Sequence, residues 1–326
     1  MIEGSDVASY IAATIGRVID EIERVVVGKR PQIELVALGL LADGHVLIDD
    51  VPGVAKTLIA RSFAQVLGLS FARIQMTPDV LASDLTGSVV LDAQRNLVFR
   101  PGPLFANLIL ADEVNRATPK AQAALLEAME ERQISTDGET RQLERPFLVI
   151  ATQNPVEFEG TYPLPEAQLD RFMLRIRIGY PSEEAERLMI ERRLSRRQDE
   201  VTLTSILSRD ELRSIQRGVE LIHVSEAVIG YAVSIVQATR SSPRIAIGAS
   251  PRGTLAVVKL ARARAALQGR DYVLPDDVKA VAGPALAHRV LLPPEQWIRR
   301  IDAEQVVAGV VNALAVPDVG SALTPP

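Results

Sequence analysis

The chain has 326 residues, 47% of them hydrophobic, no cysteine, and a formal net charge of −5. That length suits two domains with full cores, and the missing cysteines exclude disulfides and thiolate metal sites and fit a reducing cytoplasm. Residues 1–180 carry 17 Lys and Arg against 24 Asp and Glu, and the three histidines, His45, His223 and His288, are scattered, which argues against both a general nucleic-acid footprint and a histidine metal cluster.

In chain order, residues 7–27 place Ile11, Ile15, Val18, Ile19, Ile22 and Val26 at helical spacing and predict an amphipathic helix ending before Gly28. Such a helix packs on its own domain or, as the alternative, on a neighbouring subunit. From Val46 onward, short apolar runs alternate with helical patterns. The runs are Val46–Ile48, "SFARIQ" (70–75), "NLILAD" (107–112), "FLVIAT" (147–152) and "LRIRI" (174–178). Near-continuous apolar strands separated by helices predict an α/β domain with a parallel sheet buried on both faces. A helix over 119–133 starts with Thr118 as N-cap and Pro119 in its first turn. Two inserts interrupt the alternation: 87–105, with short strands Val89–Leu91 and Leu97–Phe99, and 133–143, where Asp-Gly joins two extended segments as a hairpin.

After "GYPSEEAERL" the strand patterns stop. Ser182 opens a helix with acids in its first turn, and further helical patterns cover roughly 209–221, 225–240, 252–268, 275–287 and 303–315. The expected division is an αβα core over 1–180 and an all-helical domain over 181–326. The tail "PDVGSALTPP" is expected to fray. The longest apolar run, "VVAGVVNALAV" (306–316), falls well short of the roughly 20 residues that span a bilayer. With no basic leader before an apolar core at the N-terminus, the expectation is a soluble, cytoplasmic chain that is not embedded in a membrane.

The chemistry is concentrated at the ends of the apolar strands. "DDVPGVAKT" (49–57) nearly spells the phosphate-binding pattern G-x-x-x-x-G-K-[ST], between a strand and a helix as that motif requires. Lys56 and Thr57 fit it, whereas Asp50 and Ala55 stand at the two glycine positions. Gly53 allows close backbone approach, and the N–H groups of Val54 to Leu58 lead into a helix whose positive end favours an anion. Lys56 would reach the outer phosphates and Thr57 would ligate Mg²⁺. A positive φ at Ala55 would cost on the order of 1 kcal/mol, and Asp50 would have to point away from the phosphates. "LILADE" ends a buried strand in Asp112, suited to Mg²⁺, and Glu113, suited to polarising a water. Asn154, beyond the next strand, could position that water or mark an Asn-Pro turn.

Several blocks together, "DDVPGVAKT", "RIQMTPDVLASDLTG", "FRPGPLFANLILADEVNRATPKAQAALLEAMEERQ", "ATQNPVEFEGTYPLPEAQLDRF" and "SPRGTL", resemble the MoxR family of AAA+ ATPases, over roughly residues 25–292. The resemblance implies an AAA+ P-loop core followed by a helical lid, with ATP and Mg²⁺ as ligands. It also implies a helix-2 insert at 87–105 and a pre-sensor hairpin at 133–143. Arg171 matches an arginine finger acting in trans on ATP held by a neighbouring subunit, and Arg252 matches sensor 2. Val27 and Gly28 match the segment lining the adenine. The family picture is a ring, usually hexameric, that remodels or matures protein partners, often with a von Willebrand factor A domain. Two other readings stay open. One is a nucleotide-gated binding module with little turnover; the other is a nucleic-acid motor, against which the acidic core and the "STDGET" hairpin tip speak.

Overall fold

The computed structural model describes residues 4–154, 160–198, 201–298 and 301–318. Residues 155–159 of the "ATQNPVEFEG" block, and 319–326 of the tail expected to fray, lie outside them.

Five strands form the central sheet: β1 (Val46–Asp49), β2 (Phe71–Gln75), and, after the first insert, β5 (Leu108–Asp112), β8 (Leu148–Gln153) and β9 (Leu174–Ile176). Their order is β2-β5-β8-β1-β9, and every neighbouring pair is parallel. Leu108 to Ala111, Leu148 to Thr152 and Val46 to Ile48 are all buried, which is why these strands read as unbroken apolar runs rather than alternating ones. In a parallel sheet all carboxyl ends share one edge, so the segments after β1, β5 and β8 converge there.

The two inserts are antiparallel hairpins, as the sequence predicts: β3 (Gly87–Leu91) with β4 (Leu97–Pro101), and β6 (Gln133–Thr136) with β7 (Glu139–Gln142). The second turns at Asp137 and Gly138, both at positive φ (54° and 79°), the backbone that an Asp-Gly pair favours. The hairpins touch: the Arg141 guanidinium lies 3.9 Å from the Phe99 ring centroid.

The N-terminal helix α1 (Gly4–Glu23) precedes α2 (Arg30–Leu41) and α3 (Lys56–Val66). The apolar stripe of α1 is used within the chain. Ile11, Ile15, Ile19 and Ile22 are buried in one cluster with Leu41 of the core and Leu260 of the C-terminal half. Each such side chain contributes about 1.5–3 kcal/mol. The helix α2 has no counterpart in the sequence reading. It is buried nearly all round, so it shows no single apolar face. The short helices α4 (Ala82–Thr86) and α6 (Glu166–Leu169) flank α5 (Pro119–Glu131), whose N-cap Thr118 accepts from the Ala121 N–H as expected.

Past β9 the described residues hold helices and two isolated bridges. The helices are α7 (Glu183–Arg196), α8 (Arg209–Glu220), α9 (Glu226–Ser241), α10 (Pro251–Leu267), α11 (Pro275–Leu286), α12 (Pro294–Ile298) and α13 (Ala303–Ala313). Ser182, Ser208, Ser225 and Ser250 cap α7 to α10 with their side chains. No helix among the described residues is long and apolar enough to cross a membrane.

Two of the histidines are buried. Val149 donates its N–H to His45 Nδ1 (3.0 Å), so Nε2 carries the proton and donates to the Met129 carbonyl (3.1 Å). Burial, and then the nearby Arg132, push His45 down to about 4; burial, with Arg289 and Arg175, also lowers His288. A folded-state pKa below the unfolded value means that the unfolded chain binds the extra proton as pH falls through 6.5 toward 4. Lowering the pH from 7 to 5 should therefore cost about 2 kcal/mol through His45 alone. Urea titrations at both pH values check this, and His45→Gln, which stays neutral, should flatten that part of the pH dependence.

Candidate nucleotide-binding site

The loop after β1 adopts the conformation that its sequence questions. Ala55 is left-handed (φ 65°, ψ 22°) at the N-cap of α3, and Gly53 has φ 85°. The strain at Ala55 costs on the order of 1–2 kcal/mol. Nothing within 4 Å would meet a Cβ added at Gly53, so its backbone angle, not crowding, favours glycine there.

Asp50 does point away from the loop's interior. It is buried, and its carboxylate accepts three backbone N–H groups: Val51 on Oδ1 (2.8 Å), and Ile178 and Gly179 on Oδ2 (2.6 Å each). Beside it Lys29, also buried, donates to the carbonyls of Ile178 (2.9 Å) and Tyr180 (2.8 Å). Burial lowers the Lys29 pKa, and the Asp50 charge opposes that shift. Lys56 donates to the Asp50 backbone carbonyl and to the Gln153 carbonyl (3.1 Å). Burial lowers its pKa too, against the attraction of Asp50, Asp112, Asp49 and Glu113.

At the ends of β5 and β8, the Thr152 hydroxyl organises both acids. It is fully buried, donates to Asp112 Oδ1 (2.7 Å) and accepts the Glu113 N–H (2.9 Å). Asp112 Oδ2 receives Nη2 (2.7 Å) and Nε (3.2 Å) of Arg73. Glu113, itself left-handed (φ 58°), receives Gln75 Nε2 (2.8 Å) and Arg116 Nη1 (3.1 Å) on Oε2.

A cavity of about 450 Å³ joins the two groups. Gly53, Ala55, Lys56, Thr57 and Leu58 line it from the loop, and Asp112, Glu113, Asn154 and Arg73 line it from the sheet edge. Val54 is buried, and Val27 and Gly28 do not line the cavity. Gly28 (φ 70°) packs on α7, where an added Cβ would lie 2.5 Å from Ala185 Cβ. Among the described residues no group of three or more His, Cys, Asp or Glu could cage a metal. The hydroxyl of Thr57 and the carboxylate of Asp112 are hard oxygen donors on one cavity, which suits Mg²⁺ delivered with phosphates rather than a cage built by protein alone.

The two expected arginines lie elsewhere. The last turn of α5 presents Glu130, whose carboxylate receives Arg171 Nε (2.9 Å) on one oxygen and Arg252 on the other. Both arginines line a cavity of about 260 Å³ with Lys259, Asp170 and Arg289, and neither lines the loop cavity. Arg289 is nearly fully buried. It donates to Asp170 Oδ1 (2.7 Å) and to the carbonyls of Asp170 (3.1 Å), Phe172 (2.6 Å) and Met173 (3.1 Å). Asp170 Oδ2 accepts from Ser250, the cap of α10 (2.9 Å). The turn carrying Arg171 and the helix start carrying Arg252 are thus joined by one carboxylate.

The sequence reading did not single out Arg73, Gln75, Thr152, Lys29 or Arg289. For the first three a signal existed. Arg73 and Gln75 alternate in "FARIQ", so they share a strand face, and Thr152 is a polar residue inside an apolar run.

Comparison with known proteins shows the family. Residues 45–174 match the model for the ATPase family associated with various cellular activities (AAA), and 237–310 match the AAA lid domain. The chain is 42% identical to the Mycobacterium tuberculosis chaperone MoxR1 over 321 residues, covering 94% of this chain and 84% of that protein. It is 46% identical to Bacillus subtilis YeaC over 312 residues, covering 95% and 97%. A solved structure from Cytophaga hutchinsonii superposes with a TM-score of 0.89 at 39% identity, covering 96% of this chain and 98% of the other.

The Thr152 hydroxyl supports a direct prediction. Thr152→Val keeps the shape but leaves the Glu113 N–H unpaired, which should destabilise the fold by about 1–3 kcal/mol. Guanidinium titration checks the loss, and Thr152→Ser should restore most of it.

Proposed function

The chain belongs to the MoxR family of AAA+ ATPases, and on that premise we propose that it binds and hydrolyses MgATP in a ring of identical subunits and uses the cycle to remodel protein partners. The supporting observation is the division of the candidate site residues between two cavities. Lys56, Thr57, Asp112, Glu113 and Asn154 share one cavity, while Arg171 and Arg252 share another at the far end of α5. That helix has 13 residues, about 20 Å at 1.5 Å per residue. A site needing both sets is then completed between two copies, head to tail.

In this mechanism the loop N–H groups and the start of α3 cradle the phosphates, with Leu58 beside them and Val27 and Gly28 toward the adenine. Lys56 exchanges its two carbonyl partners for phosphate oxygens. Thr57 and Asp112 would hold Mg²⁺, which would supply charge neutralisation at the phosphates. Glu113 accepts a proton from the attacking water, and Asn154 orients that water. Arg171 and Arg252 of the adjacent copy leave Glu130 and stabilise charge on the transferring phosphoryl group, an effect of about 10³–10⁵ in rate for arginine fingers.

A protein client is favoured by the chaperone name of the M. tuberculosis relative and by the β3–β4 hairpin, which exposes Val90, Leu91, Leu97 and Val98. The same proposal takes the ring as hexameric, the compartment as cytoplasmic, residues 1–180 and 181–326 as the two domains, and von Willebrand factor A domain proteins as candidate partners.

Steady-state ATPase measured against protein concentration tests the reading. The rate per subunit should rise with concentration. Glu113→Gln should lower it by about 10²–10⁴ and Arg171→Ala by about 10³–10⁵. Mixing the two inactive variants should restore activity at about one interface in four, by random assortment in a head-to-tail ring. A mixture as inactive as its components would overturn the shared site.

A further inference from the structure

Asp50 is the residue that departs furthest from the phosphate-loop pattern, and it has two sets of partners. Its backbone carbonyl holds Lys56, which with Arg73 faces the cavity. Its side chain holds the N–H groups of Ile178 and Gly179, in the segment that leads from β9 through the Ser182 cap into α7. Lys29 grips the carbonyls of the same segment. The first turn of α7 rests on Gly28 through Ala185. The loop that receives phosphate and the connection to the helical half therefore meet at one buried carboxylate.

We propose that Asp50, braced by Lys29, is a positioning residue that relays occupancy of the loop to the 178–182 connection. The proposal rests on the nucleotide reading of the cavity. The physical basis is displacement of one nitrogen: Lys56 commits two of its three donors to carbonyls, and all three move with Nζ when the side chain swings into the cavity. An ammonium that turns to phosphate gives up the Asp50 carbonyl. The peptide unit following Asp50 is then free to reorient, and Val51 N–H, part of that unit, is bonded to the Asp50 carboxylate. Reorientation there changes what the carboxylate can offer Ile178 and Gly179. A glycine, as in the strict pattern, would leave those two N–H groups and the Lys29 charge without this partner.

The test is hydrogen exchange of the full chain with and without saturating MgATP, saturation being set by calorimetry for each variant. In the wild type, MgATP should change the exchange of residues 178–182 at least threefold. In Asp50→Asn the amide offers one oxygen where the carboxylate offers two, so that response should vanish at saturating MgATP while protection of β5 and β8 persists. ATP affinity should also fall at least tenfold. Lys29→Met leaves the carboxylate in place and should at least halve the response, which keeps the proposal testable if Asp50→Asn folds poorly. An Asp50→Asn protein whose 178–182 segment responds like the wild type would overturn the relay, as would a wild type that binds MgATP without any response there. Absence of MgATP binding by the wild type would instead overturn the nucleotide reading, and the relay with it.

Discussion

The structure depends on a parallel sheet buried on both faces. Strands such as Leu108–Ala111 and Leu148–Ala151 have no exposed face, so their side chains are apolar until the carboxyl edge is reached. A polar group buried without a partner costs several kcal/mol, and the groups at this edge meet that constraint together. Thr152 satisfies Asp112 and the Glu113 N–H at once, and the Gln153 carbonyl receives both the Asp50 N–H and Lys56. The strand order places β1 beside β8, and β8 beside β5. The loop after β1, the pair of acids and the Asn154 amide are therefore neighbours in space though spread over about a hundred residues of the chain.

The unusual spelling of the loop is accounted for by its surroundings. Ala55 holds a left-handed conformation, a modest cost set against several charge-assisted contacts that a phosphate would make. Asp50 replaces conformational freedom with an anchor on Ile178 and Gly179. The loop is thereby tied to the start of the helical half, and α1 ties the halves again. Gly218 of α8 lies so close to it that an added Cβ would sit 3.0 Å from Val7 Cγ1.

The same economy operates at the end of α5. Glu130 pairs with two arginines from segments far apart in the chain, and Asp170 with Arg289 aligns the backbones on which they sit. Surface ion pairs are worth little on their own, and Arg252 is about half exposed. The pairing orders the two guanidinium groups in a common cavity without binding them tightly, as the proposed exchange with a neighbour's phosphate requires.

Much of this was legible in the chain. Apolar runs located the strands, helical spacing with the Thr118 and Ser182 caps located helices, and Asp-Gly located a hairpin. The acids ending "LILADE" and the lysine of "DDVPGVAKT" identified the cavity, because periodicity and capping are local properties. Helix α2 escaped because burial on all sides erases amphipathicity, and α4 and α6 are too short to show a period. What the sequence by itself determined was which residue types arrive at the sheet's carboxyl edge. Only the tertiary structure decided how Asp50 is used. Two of its partners are backbone N–H groups 128 and 129 positions away, and since every residue but proline carries one, no pattern in the chain announces them. The meeting of Arg171 and Arg252 on Glu130 was settled the same way, by how α5, α10 and the Asp170 turn pack, since side-chain charge attracts any opposite charge and distance alone selects the partner.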